Sequence, residues 1–102
     1  MRVRFYLVKV TSKATPDNKN FAGEVHIDYF GKDQKSIGSY VSKDGGEFVA
    51  VDPLNEWRIE EYGYTRLCDA RRSWIYKHGN ELNKWPDGTS HWEDSAEIVE
   101  VN

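Results

Sequence analysis

Cysteine is nearly absent from this chain of 102 residues: Cys68 stands alone, so an intrachain disulfide is excluded. Long apolar runs are absent too, and none approaches the roughly 20 residues that a membrane-spanning helix needs. The first residues, Met1-Arg2-Val3-Arg4-Phe5, alternate charge with apolar character and lack the uninterrupted apolar stretch of a signal peptide. A cytoplasmic location without membrane attachment is the resulting expectation. Metal-ligand spacing is missing, because His26, His78 and His91 are scattered and no pair follows an i, i+4 or Cys-His pattern. Gly45-Gly46 belongs to neither a GxxxxGK loop nor a GxGxxG turn, so a phosphate cradle is not encoded, and no cofactor is expected. Cys68 lies close to an apolar stripe without an identifiable base. It reads as a packing residue rather than a nucleophile.

What the chain does hold is aromatic and charged. Four Trp, six Tyr and four Phe supply large areas for a small core, and 30% of the residues are charged. The length suits one domain over 1–102. The net charge of −3 is uneven: residues 1–51 carry +2 and residues 52–102 carry −5.

Period-2 alternation predicts a strand over 2–10, with Val3, Phe5 and Leu7 facing the core. Val8 and Val10 break that alternation, as expected where a strand is covered on both faces. Thr11 to Asn20 reads as loop. A second strand is predicted over 21–30, with Phe21, Gly23, Val25, Ile27 and Tyr29 inward and Ala22, Glu24, His26 and Asp28 mostly in water. Residues 37–42 and 47–51 form the arms of a hairpin reversed at Asp44-Gly45-Gly46. The segment 57–62 has two readings. Trp57, Ile59 and Tyr62 favour a strand. The alternative is a helix with Asp52 as N-cap, Pro53 as first helical residue and Gly63 as stop. A helix follows over about 65–78. Thr65 is its N-cap, Leu67, Ala70, Trp74 and Ile75 its apolar stripe, and Gly79 its cap. A loop over 80–89 and a strand over 96–101 close the chain. The predicted class is α+β: an antiparallel sheet of five or six strands, one main helix (about 65–78) packed on one face, and a C-terminal strand.

Two surfaces are candidates for function. Arg66, Arg71, Arg72 and Lys77 make the helix locally basic, and Tyr76 lies nearby for stacking. Together they are suited to phosphate contacts with a nucleic acid. The competing reading is a solvated helix face with Asp69–Arg72 paired at i, i+3. Trp85 and Trp92 flank Pro86-Asp87-Gly88 and are candidates for an exposed interaction patch, unless they pin that loop to the sheet. An exposed edge strand would also permit a homodimer by sheet extension. Carboxylate pairs such as Glu56 with Glu60 offer acid–base chemistry only if a cleft holds them. The leading expectation is a non-enzymatic interaction module whose partner is a protein or a second copy. Nucleic acid is the alternative partner.

Glu61-Tyr62-Gly63-Tyr64-Thr65, followed by a helix with Ala70, resembles a motif of phage integrase arm-binding domains over about 15 residues, where common strand-to-helix turn chemistry operates. In that family a small antiparallel sheet runs through a Gly-aromatic-Thr turn into a helix with an early alanine. The resemblance implies DNA binding by the sheet. This chain departs from the pattern in its further strand over 96–101 and in its acidic net charge. The Tyr-Gly-Tyr turn is also similar to turns of small bacterial and phage proteins.

Overall fold

The computed structural model describes residues 4–73 and 91–101. Its core is an antiparallel sheet of five strands, β1 (Phe5–Ala14), β2 (Val25–Phe30), β3 (Ser36–Ser42), β4 (Val49–Asp52) and β5 (Trp92–Val101), in the order β4-β3-β2-β1-β5. Two short helices, α1 (Glu56–Tyr62) and α2 (Leu67–Arg71), complete the α+β architecture. No described helix is long and apolar enough to cross a membrane.

The sheet is covered on both faces near its centre. Even-numbered residues of β1 build one core, in which Val8 and Val10 pack with Tyr64 and Ala70, flanked by Tyr6, Phe30, Ala96 and Ile98. Odd-numbered residues build the other, in which Leu7 packs with Ile37 and Ile59, flanked by Phe5, Tyr29 and Leu54. Thus α2 lies against the Val8 face and α1 against the Leu7 face. The predicted helix thus starts against one face, as expected, and α1 adds a second helix on the other. Val8 and Val10 break the alternation because both sides of β1 need apolar side chains there.

Segment 57–62 is helical, not extended. Ile59 and Tyr62, three apart, fall on one helical face and meet the Leu7 core. Trp57 turns outward, so its apparent alternation with Ile59 does not mark a buried strand face. The N-cap is Asn55 rather than Asp52, and the Gly63 N–H donates to the Ile59 carbonyl at 2.7 Å, closing the helix where the sequence placed its stop. Arg58 ties α1 to the sheet, donating to Asp52 Oδ2 at 2.7 Å and to the Ser36 carbonyl at 2.6 Å.

Other boundaries shift. β1 runs on to Ala14 instead of turning to loop after Val10, because β2 and β5 both hydrogen-bond it as far as Lys13. β2 begins only at Val25: Gly23 adopts φ +84 and the Glu24 N–H closes a turn onto the Phe21 carbonyl, leaving Phe21 exposed rather than in the core. β5 starts at Trp92, four residues before the predicted strand. α2 begins at Leu67 with Arg66 as N-cap and no side-chain cap bond, so Thr65 does not cap it. The helix ends at Arg71, with Arg72 as C-cap. The remainder of the predicted helix, with Trp74, Ile75, Tyr76 and Lys77, lies outside the described residues, as do the 80–89 loop and Trp85.

Candidate interaction surface

An antiparallel sheet has two edges, and these two are treated differently by the sequence. Edge strands carry unpaired backbone groups that invite another strand, and charged side chains are a common guard. β5 has β1 on one side. Its outward residues Glu93, Glu97 and Glu100 are exposed, and Lys9 and Arg4 reach Glu97 at 3.5 Å and Glu100 at 3.1 Å. β4 is the opposite edge: among the described residues it has β3 on one side and no strand on the other. Its sequence is Val49-Ala50-Val51-Asp52, and three uncharged residues in a row stand exposed. Val49 is 62% exposed and Val51 is 69% exposed. Phe48, just before the strand, is exposed as well. So is Trp57 at 62%, one residue before the Arg58 that grips Asp52.

The hairpin that presents β4 is built by local chemistry. Gly45 holds φ +85, a region that side chains disfavour. The Gly45 N–H donates to Ser42 Oγ at 2.9 Å and the Gly46 N–H to Asp44 Oδ1 at 2.9 Å. The Gly46 N–H bond, and after it the Ser42 hydroxyl, lower the Asp44 carboxyl from its ordinary pKa. The register slips between Ser39 and Tyr40, where Ser39 faces Asp52 and Tyr40 faces Ala50, leaving Val51 as the extra residue of the edge. Among the described residues, shortness and this irregularity guard β4, and its exposed Val49-Ala50-Val51 carries no charge.

The predicted basic surface is partly in view. Arg66, Arg71 and Arg72 are exposed, and none has an ion-pair partner among the described residues, so the Asp69–Arg72 pair of the competing reading is not formed. They do not form one stripe. Arg71 borders a groove of about 380 Å³ shared with Tyr6, Leu67, Glu97 and Glu100. Arg72 borders a shallow depression with Asp33, Gln34, Asp69 and Ser73. Arg71 and Arg72 thus share these depressions with carboxylates without forming ion pairs among the described residues, and adjacent helix positions point them apart. Cys68 is half-buried, with Sγ 3.9 Å from Asp69 Oδ1.

Trp92 is half-buried. Its ring lies 5.4 Å from Phe21 and 4.7 Å from His26, in an aromatic cluster at the start of β5. Glu24 Oε2 and His26 Nε2, 3.8 Å apart, are buried beside it without hydrogen-bond partners among the described residues. Among the described residues no group of three or more His, Cys, Asp or Glu is placed to hold a metal ion. The β4 edge escaped sequence reasoning as a site because Val-Ala-Val reads as buried strand; only its place at the end of the sheet exposes it. No family model, curated protein or solved structure matches this chain.

Proposed function

We propose that this protein is an interaction module that accepts an extended segment of a partner protein along β4, adding a sixth strand to the sheet. The observation that carries this reading is the exposed, uncharged Val49-Ala50-Val51 edge, set against the glutamate-guarded β5 edge. Main-chain hydrogen bonds to an open edge supply affinity, and alternate side chains supply selectivity. Trp57 and Phe48 offer adjoining apolar surface of the kind that anchors interfaces. A lone cysteine agrees with a reducing, cytoplasmic site of action. Selection of displayed random peptides against the protein tests the reading. Bound peptides should perturb the amides of Val49–Asp52 in NMR spectra, and Val49→Lys with Val51→Lys should weaken them about tenfold or more while leaving the melting temperature unchanged. Peptides that perturb only other surfaces, or that ignore both lysines, would overturn it.

A second reading rests on the exposed Arg66, Arg71 and Arg72, which have no ion-pair partner among the described residues and are joined in sequence by Tyr76 and Lys77: accessory binding of nucleic acid. Fluorescence anisotropy with labelled duplex and single-stranded DNA is the test. Micromolar binding should fall steeply with salt and vanish in Arg71→Glu with Arg72→Glu. No binding at low salt would remove this reading.

A further inference from the structure

The stretch of sequence that contains the open edge is acidic. Between residues 43 and 61, Lys43 and Arg58 stand against Asp44, Glu47, Asp52, Glu56, Glu60 and Glu61, a balance of −4 where the whole chain carries −3. Among the described residues, only Asp52 of these carboxylates is in an ion pair, with Arg58 at 2.7 Å. Asp44 and Glu47 are exposed in the hairpin leading into β4, and Glu56 is exposed at the start of α1 just beyond it. Val49, Ala50 and Val51 of the strand are uncharged. An incoming strand would therefore find apolar side chains along its middle and negative charge at both ends.

We infer that the segment received by β4 is cationic: an extended stretch in which Val, Ile or aromatic residues alternate with Lys or Arg. This rests on the reading of β4 as an acceptor edge. Opposite charge across an interface guides encounter and excludes wrong partners, while the apolar centre and the backbone hold the complex. A second copy of this chain fits less well. Antiparallel self-pairing centred on Ala50 sets Phe48 of each copy opposite Asp52 of the other, and it brings the acidic flanks of both copies together. An acidic segment would meet the same repulsion.

Three capped peptides test this, each alternating valine with one other residue: lysine, glutamine or glutamate. Binding is followed by NMR of the isotopically labelled full chain, and oligomeric state by sedimentation. The lysine peptide should shift the amides of Val49–Asp52 and bind about tenfold more tightly than the glutamine peptide at low salt, an advantage that closes toward about 0.5 M salt. Glu47→Gln with Glu56→Gln should remove most of that advantage and leave the glutamine peptide unaffected. Equal binding of all three peptides at β4 would overturn the charge inference while leaving the acceptor edge standing. No β4 shift with any peptide would remove the acceptor edge itself. Shifts confined to β5 when the lysine peptide is added would reduce its binding to attraction by Glu93, Glu97 and Glu100, and would overturn the inference. So would a concentration-dependent dimer with β4 amides protected, which would make the occupant a second copy.

Discussion

Alanine at two consecutive positions of β1 should each time cost a large part of the stability: about 3 kcal/mol for Leu7→Ala and about 2 kcal/mol for Val8→Ala. In a strand with one wet face, neighbouring residues alternate between sensitive and tolerant, because successive side chains point to opposite sides. Here both side chains are fully buried. Leu7 packs with Ile37 and Ile59 beneath α1, and Val8 packs with Tyr64 and Ala70 beneath α2. Each truncation leaves a cavity between a central strand and a short helix that has little freedom to collapse into it. Urea unfolding monitored by circular dichroism measures both. A Val8→Ala change within about 0.5 kcal/mol of the parent would mean that α2 does not close the second face.

The second large effect is expected from adding one carbon. At the end of β2, a Cβ on Gly31 would land on the Tyr62 carbonyl oxygen and within 2.7 Å of its carbon, at the turn that ends α1. That obstacle is backbone, anchored by the Gly63 N–H bond to Ile59 and by the backbone pair between Tyr6 and Tyr64. No side-chain rotation relieves it, so α1 must lift from the sheet. Gly31→Ala should cost about 3 kcal/mol. Gly46→Ala is the control, costing less than about 1 kcal/mol. Its Cβ would meet only the Asp44 carboxylate, at 3.2 Å, which can rotate away. Thermal melts of the two variants separate the cases, and equal melting temperatures would refute the close approach. Gly38 plays a related part further along, where a Cβ would crowd Leu54 at 3.0–3.2 Å.

These two glycines explain why part of the fold was illegible. α1 is seven residues long, too short for its periodicity to separate helix from strand. What decides its state is the room left by Gly31 for Tyr62 and by Gly38 for Leu54 just before the helix, together with the docking of Ile59 and Tyr62. None of this is local in sequence. The hairpin at Asp44-Gly45-Gly46 was legible because its determinants are neighbours: one positive-φ glycine and two side-chain acceptors within five residues. The double coverage of β1 was also legible, in Val8 and Val10. The exposed arginines followed from composition, but their divergence did not, because it depends on where α2 ends and on which elements lie beside it. The open edge was hidden for the opposite reason. Val49-Ala50-Val51 has the composition of a central strand, and only the order of strands reveals that it is outermost.

The position of β1 between β2 and β5 carries a consequence for synthesis. Its pairing with β5 joins Phe5 to Val101 and Ala14 to Trp92, ten opposed residues across nearly the whole length of the chain. A polypeptide emerging N-terminus first can form the hairpins from β1 to β4 early, but the outer flank of β1 lacks its β5 neighbour until residues 92–101 have left the ribosome. Loop closure over such a span makes this pairing slow relative to the hairpins. During that interval the nascent chain has an unpaired flank on β1 as well as on β4, which is the kind of exposed backbone that chaperones shield from premature association.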